Sequence, residues 1–101
     1  MIKIRSGSNV PIVVELIWED GNPMDLTNVS TITMRLKDIS TGQVVYTGTC
    51  TVVSPSNGRI QHNWGDTSSL NGIYEREFEI TYNDGTKETV PSDRIEYIMF
   101  W

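Results

Sequence analysis

The sequence has very few of the residues that staple or activate small proteins. Among 101 residues there is one cysteine, Cys50, and one histidine, His62. A single cysteine excludes an intrachain disulfide, and with it the class of disulfide-stapled secreted domains. A single histidine excludes a histidine-rich metal site. We therefore expect His62 to be a partly buried residue of a sheet and Cys50 to be a small buried hydrophobe.

Basic residues and long apolar runs are also scarce. Eight Lys and Arg stand against thirteen Asp and Glu, for a formal net charge of −5, and the basic residues form no block. This argues against a nucleic-acid partner. No apolar run approaches the ~20 residues that cross a bilayer, so no membrane role is expected. Residues 1–5 begin directly with strand-like alternation, which predicts no signal peptide. The length predicts one domain over residues 1–101.

The oxygen-rich segments do not have the spacing of a metal site. Glu75, Glu77 and Glu79 stand on one face of a predicted strand, whereas a cation needs ligands that converge from several directions. The residues 20–22 with Asp25 lack the spacing of a calcium loop. We therefore predict no metal, no cofactor and no catalytic site. Whether the glutamate face meets solvent or a basic partner stays open.

The clearest pattern in the chain is a long alternating stretch from Gly72 to Gly85. Its apolar residues fall on one parity, and its glutamates fall on the other. Side chains of a strand point alternately to opposite faces, so this pattern predicts a long strand with one buried face. Residues 83–85 accept turn conformations, and residues 86–90 can return beside the strand as a hairpin.

Shorter alternating stretches make up the rest of the chain. They predict about eight strands, at residues 2–5, 11–18, 31–37, 43–53, 59–64, 72–82, 86–90 and 95–101, with no long amphipathic helix. Gly48 is expected to bend or bulge its strand. Residues 91–93 are expected to form a turn. Met24 and Leu26 are expected to enter the core, as are two tryptophans inside predicted strands, Trp18 and Trp64.

A glycine two residues before a tyrosine opens the long strand, in the segment Leu70-Asn71-Gly72-Ile73-Tyr74. This resembles the tyrosine corner of immunoglobulin-like sandwiches, in which the hydroxyl bonds back to the preceding loop. Arg76 stands where those domains have a cysteine, so no intersheet disulfide forms there. The predicted fold is an all-β, immunoglobulin-like antiparallel β-sandwich of seven to eight strands.

Three apolar elements are candidates for contact with a partner. They are the first strand with Ile2 and Ile4, the doubly apolar second strand with Val13 and Ile17, and the C-terminal residues. Large aromatic residues anchor interfaces, so Phe100 and Trp101, together with Ile98, could form a docking patch. The other interpretation is that Trp101 caps the core. Alternation sends Phe100 to the face opposite Trp101.

Two long segments of the chain resemble small β-sandwich modules of tailed-bacteriophage structural proteins. The first is Trp18-Glu19-Asp20-Gly21-Asn22-Pro23-Met24-Asp25-Leu26-Thr27, followed by Ile32-Thr33-Met34-Arg35. The second begins at Gly58-Arg59-Ile60 and runs through Trp64, Gly72-Ile73-Tyr74 and Thr81-Tyr82-Asn83-Asp84-Gly85 to Thr89-Val90-Pro91. They are similar to the N-terminal domain of the phage baseplate upper protein family.

This resemblance implies a non-enzymatic virion component, made in the host bacterial cytoplasm and held by contacts with capsid or tail proteins. A symmetric oligomer in the particle is expected. The chain stops at Trp101, without the continuation found in the baseplate relative, which favours a decoration or accessory role over an adaptor. The alternative is a host-surface carbohydrate- or receptor-binding module, against which the predicted loops offer no aromatic residue.

Overall fold

The computed structural model describes residues 2–18, 20–91 and 95–101. Its described part is all-β, as predicted, with a single 3₁₀ turn at Pro55–Asn57. No helix in this part is long and apolar enough to cross a membrane. The strands are β1 Ile2–Ile4, β2 Ile12–Glu15, β3 Val29–Asp38, β4 Val44–Ser54, β5 Arg59–His62, β6 Gly72–Tyr82, β7 Lys87–Val90 and β8 Glu96–Phe100.

The eight strands belong to one curled, sandwich-like sheet. Hydrogen-bonded neighbours follow the order β1-β8-β6-β3-β4-β5-β2, and β7 pairs with the far end of β6. All pairs are antiparallel except β1 and β8, which are parallel. The predicted antiparallel arrangement is therefore wrong at this pair, because alternation predicts which face is buried and not which way a strand runs. The strand order is not clearly that of an immunoglobulin domain.

The centre of the sheet is the pair β3 and β6. Tyr74, Phe78 and Ile80 are buried on β6, while the intervening glutamates are partly exposed, as the alternation predicts. Met24 and Leu26 are buried in the same core, which confirms their predicted place. The buried cluster comprises Leu16, Met24, Leu26, Ile32, Met34, Leu36, Cys50, Ile60, Trp64, Leu70, Tyr74, Phe78, Ile80, Val90, Ile98 and Phe100.

The tyrosine at the mouth of β6 makes the predicted bonds to the preceding loop. The Tyr74 hydroxyl donates to the Asn71 carbonyl oxygen at 2.9 Å and accepts from the Asn71 amide at 3.0 Å. Its ring also lies edge-on to Phe100, 6.1 Å away between centroids. The loop before β6 is thus fixed to the core, because both backbone groups of Asn71 are satisfied by one buried side chain.

The glycines of β4 and of the β4–β5 turn have roles that depend on packing. Of the predicted bend or bulge at Gly48, the bulge is absent; the register shifts occur at Leu36/Lys37 and Val52/Ser54. A Cβ at Gly48 would lie 2.4 Å from His62 Cε1, so the glycine makes room for that ring. In the predicted turn at residues 91–93, only Pro91 is among the described residues.

Candidate interaction surface

The outward side of β2 and of the hairpin after it carries exposed apolar side chains. Val13 is 58% exposed, and Ile17 and Trp18 are each 41% exposed. Ile12 and Val14, on the other side of the strand, pack against the core. We refer to Val13, Ile17 and Trp18 as the apolar edge. Val13 and Ile17 are thus exposed, as a contact role requires.

Trp18 was expected in the core, and this prediction is wrong. The alternation of β2 stops at Leu16, which is buried, and the next two side chains are both exposed. The chain turns here into a tight hairpin: Trp18 N–H donates to the Asn22 carbonyl at 2.8 Å, and Gly21 N–H donates to the Trp18 carbonyl at 2.9 Å. The strand pattern therefore no longer determines which face Trp18 occupies.

The base of this hairpin is tied to the β4–β5 turn. Leu16 N–H donates to the Gly58 carbonyl at 2.8 Å, and Met24 N–H donates to the Leu16 carbonyl at 2.9 Å. Gly58 has φ 63°, and a Cβ there would lie 2.4 Å from the Leu16 carbonyl oxygen. Only glycine combines this left-handed backbone with so close an approach. The apolar edge is therefore held in place from its inner side.

The first strand does not present its isoleucines outward. Ile2 and Ile4 are partly buried and pack against the core, while β1 pairs with β8. Their expected contact role is limited to the part of each side chain that remains accessible. The exposed side chains of this segment are Lys3 and Arg5.

Phe100 was expected to form a docking patch at the C-terminus, and the structure contradicts this. Phe100 is 0% exposed, as is Ile98, because both lie on the inward face of β8. Phe100 instead packs edge-on against Trp64, 5.4 Å away between ring centroids. Trp101 is 54% exposed, and the Arg5 guanidinium lies 4.5 Å from its ring centroid. Only Trp101 of this trio is available at the surface.

Two of the three glutamates on the outer face of β6, Glu77 and Glu79, pair with basic residues of neighbouring strands of the same chain. Glu77 lies 3.1 Å from both Arg35 and Lys37, and the Arg35 Nε contact is outside hydrogen-bond geometry. Glu79 lies 3.1 Å from Arg35 Nη1 and 3.8 Å from Lys87. We refer to these five residues as the charged ladder. Its carboxylates already have basic partners in the same chain.

A buried polar cluster around His62 was missed by the sequence reasoning. His62 is 1% exposed, its Nε2 lies 2.7 Å from the Tyr46 hydroxyl, and its Nδ1 lies 3.6 Å from Cys50 Sγ. Cys50 and His62 are opposite each other in the β4–β5 ladder. The signal that could have found this pair is the hairpin register set by the turn at residues 54–58.

The Cys50–His62 contact has the chemistry of a packed core. Burial raises the pKa of the Cys50 thiol to about 11, so the thiol stays protonated near neutral pH and is a poor nucleophile. Burial also lowers the pKa of His62, although a hydrogen bond with the Thr49 backbone partly opposes this. The uncharged imidazole is thus one more packed ring, 4.7 Å between centroids from Trp64.

In the oxygen-rich turn at residues 20–27, the aspartate carboxylates accept hydrogen bonds from groups of the same turn. Asp20 accepts from the Asn22 amide at 2.9 Å, and Asp25 accepts from the amide and hydroxyl of Thr27. Across residues 2–18, 20–91 and 95–101, no group of three or more His, Cys, Asp or Glu residues could hold a metal ion. These carboxylates stabilise turns.

A buried ion pair joins β6 to β8. Arg76 Nη2 lies 2.7 Å from Glu96 Oε2, and the guanidinium is almost wholly buried. Its Nε and Nη1 atoms have no hydrogen-bond acceptor in the described part of the chain. The residue that replaces the cysteine of immunoglobulin-like domains is therefore an inward-facing cation, which the sequence reasoning did not anticipate.

Comparison with protein-family models finds no match, and comparison with curated proteins finds no significant similarity.

Proposed function

We propose that the protein is a non-enzymatic structural component of a tailed-phage virion. It docks on capsid or tail proteins through protein–protein contacts. The sequence resemblance to phage β-sandwich modules suggests the setting. The observation that carries the docking role is the apolar edge, where Val13 on the edge strand β2 and Ile17 and Trp18 just after that strand are exposed. Exposed aromatic and aliphatic clusters of this kind mark interaction sites.

The position of the apolar edge suits repeated, individually weak contacts. β2 has a sheet neighbour, β5, on one side only. A partner can therefore cover the apolar side chains and approach the free strand edge at the same time. In a symmetric particle, many copies of such a contact act together, so each one need contribute little.

The chemistry of the buried cluster supports a non-enzymatic role. The one Cys–His contact lies inside the core, and the raised pKa of Cys50 keeps the thiol protonated. Nucleophilic catalysis needs an accessible thiolate. We therefore assign Cys50, His62 and Tyr46 to packing of the sheet.

The proposal is tested by incorporation into particles of the phage that encodes the chain. The Val13→Asp/Ile17→Asp double variant places two charges on the apolar edge, and we expect at least a tenfold loss from purified particles. Mass spectrometry measures the ratio to the major capsid protein. Ile39→Asp is the control for placing a charge at an exposed apolar residue, because Ile39 is 53% exposed but lies in the β3–β4 turn.

The ratio measured for the wild-type chain indicates where on the particle it lies, and two other outcomes would refute parts of the proposal. A wild-type ratio near that of the capsid protein places the chain on the shell, and a low-copy ratio places it on the tail or baseplate. Absence of the wild-type chain from particles would refute the virion role. Normal incorporation of a folded double variant would refute docking through the apolar edge.

Trp18 favours a second candidate function, binding of a host-surface carbohydrate or receptor. Trp18 is 41% exposed in the hairpin that also carries Asp20 and Asn22, so an aromatic side chain does stand in a polar loop, where the sequence predicted none. A glycan array probed with the wild-type chain and with Trp18→Ala tests this. A glycan bound only by the wild type supports the second function, and no binding to any glycan eliminates its carbohydrate form.

A further inference from the structure

Two basic side chains at one edge of the sheet have no ion-pair partner in the described part of the chain. Five other described basic residues pair with carboxylates: Arg35, Lys37, Arg59, Arg76 and Lys87. Lys3 and Arg5 do not, although the chain carries a formal net charge of −5. Arg5 instead lies over the ring of Trp101. Within the described residues, positive charge without a carboxylate partner is thus concentrated at residues 3–5.

A groove separates this edge from the other end of the sheet. β1 and β2 are the two ends of the strand order, and residues from both line a cavity of about 290 Å³. Ile2 and Ile4 pack inward beside it, whereas Lys3 and Arg5 are exposed. We call this groove the β1–β2 seam; it is lined by Ile2, Lys3, Ile4, Arg5, Ser8, Val10 and Ile12.

The pairing of β1 with β8 determines which backbone groups of β1 point away from β8. The Ile4 carbonyl accepts from Trp101 N–H at 3.1 Å, and Ser6 N–H donates to the Trp101 carbonyl at 2.9 Å. These even-numbered residues therefore direct their backbone groups toward β8. Successive residues of a strand direct these groups to opposite sides, so the N–H and C=O of Lys3 face the seam. An extended chain can add to such an edge.

We propose that the β1–β2 seam binds an extended segment of a partner protein in which acidic and apolar residues alternate. The segment adds as a strand beside β1. Its apolar side chains face Ile2, Ile4 and Ile12, and its carboxylates lie near Lys3 and Arg5. This inference rests on the proposed function, since it names the chemistry of a docking partner.

The charges on the chain favour a different protein over a second copy as the occupant. Two copies with a net charge of −5 repel each other. An acidic segment from another protein meets Lys3 and Arg5, the cations without an ion pair among residues 2–18, 20–91 and 95–101, and opposite charges across an interface guide the register of the contact. The alternation of the segment matches the alternation of β1, because neighbouring strands place side chains on the same two faces.

Fluorescence anisotropy with labelled, blocked peptides tests the proposal on the purified full chain. The probe alternates Glu and Val over eight residues. We expect saturable binding that weakens with added salt, and at least tenfold weaker binding by Lys3→Glu/Arg5→Glu. The matched control, Lys37→Glu/Lys87→Glu, makes the same change in net charge at the charged ladder and should change binding less than threefold. Amide NMR shifts should locate the probe at residues 2–5 and 10–13.

Two further peptides test the strand geometry. A peptide of the same composition with its glutamates in one block should bind at least tenfold more weakly, and so should one N-methylated at alternate amides. Equal binding of the block peptide would overturn the proposal, since it would show charge attraction alone. Absence of binding to the alternating probe would overturn it too. Sedimentation that shows dimers of the wild type, lost in Lys3→Glu/Arg5→Glu, would assign the seam to a second copy and refute a separate partner.

The peptide experiment and the particle experiment can refute their two proposals separately. Peptide binding at the seam by a chain that is absent from particles would refute the virion role and leave the seam site standing. Incorporation that depends on Val13 and Ile17, without peptide binding, would refute the seam site alone.

Discussion

The outer surfaces of the two halves of the sheet differ in chemistry: one carries charges that are paired within the chain, and the other carries exposed apolar side chains. On β3, β6 and β7 the charged ladder pairs its carboxylates with arginine and lysine of the same chain. At β2 and the hairpin after it, the apolar edge leaves Val13, Ile17 and Trp18 between 41% and 58% exposed. One surface completes its interactions within the fold, and the other leaves apolar area open to another molecule.

This difference separates a surface whose charges are paired within the chain from a surface that is available for contact with a partner. The ladder contacts are partly exposed, so each is worth only some tenths of a kcal/mol and is screened by salt. They offset the charges of Glu77 and Glu79 within the chain. The apolar edge contributes little to the core and is therefore free to serve binding. Substitutions on the two surfaces should accordingly affect different measurements.

The largest expected effect on stability comes from a substitution at Gly58, which holds the base of the hairpin that carries the apolar edge. Gly58→Ala forces an alanine into a left-handed backbone and against the Leu16 carbonyl at the base of the hairpin. We expect a loss of about 3 kcal/mol in the free energy of unfolding, measured by urea denaturation. Gly42→Ala is the control, because Gly42 has φ 74° but open space around it, and should cost about 1 kcal/mol.

An equal effect of the two glycine substitutions would mean that the close approach of Gly58 to Leu16 is unimportant. In the expected case, hydrogen exchange of Gly58→Ala should rise first at residues 12–18. The charged ladder should keep its protection, because β3 and β6 pair independently of that hairpin.

Mild acid should lower the free energy of unfolding through His62, which lies on β5 in the same half of the sheet as β2. Burial lowers the pKa of His62 in the folded chain, so the unfolded chain binds more protons as the pH falls below the ordinary value of 6.5. The stability that the neutral His62 contributes is therefore fully present above that pH. It decreases below that pH, with a slope of at most about 1.4 kcal/mol per pH unit. Urea denaturation at pH 7.5, 6.5 and 5.5 measures this.

The control for the pH effect is His62→Gln, which should be less stable at every pH but lack the dependence between pH 7.5 and 5.5. The lowered pKa values of Asp25 and Asp38 act in a separate window, below their ordinary value of 3.8. A wild-type stability that is flat from pH 7.5 to 5.5 would contradict the assignment of His62 as a buried neutral ring.

The smallest expected effect lies on the charged ladder. Glu77→Ala removes the partner shared by Arg35 and Lys37, and should cost about 0.5–1 kcal/mol in low salt and less in 1 M NaCl. Glu75→Ala removes the same charge from the same face, at a residue without an ion pair in the described chain, and should cost less. A loss for Glu77→Ala that is insensitive to salt would mean that packing, and not charge, accounts for it.

Much of the fold follows from the alternation of side chains. The Gly72–Tyr82 strand, the burial of Met24 and Leu26, and the hydroxyl bonds of Tyr74 were all predicted. These features depend on neighbours in the sequence or on a strand long enough to determine its own buried face. Local pattern is sufficient for them, because period-2 alternation and turn residues specify each face.

The remaining features depend on contacts between distant segments. Trp18 and Phe100 were misplaced because alternation cannot show where a strand ends or which parity faces the core. The Cys50–His62 contact depends on hairpin register, and the partners of Glu77 depend on which strand lies beside β6. Of the candidate contact residues, the sequence identified Val13 and Ile17 as contact positions, left Trp101 open between the surface and the core, and missed Trp18, Lys3 and Arg5.

The parallel pairing of β1 with β8 also has a consequence for the order of folding. Ile2 pairs with Ile98, so this ladder joins segments separated by almost the whole chain. Contacts between such distant residues carry a high cost of loop closure and form late. Hairpins such as β6–β7 can close much earlier. During synthesis, β1 can pair with β8 only after residues 96–100 have left the ribosome, so we expect the edge that bears Lys3 to be among the last parts of the molecule to assemble.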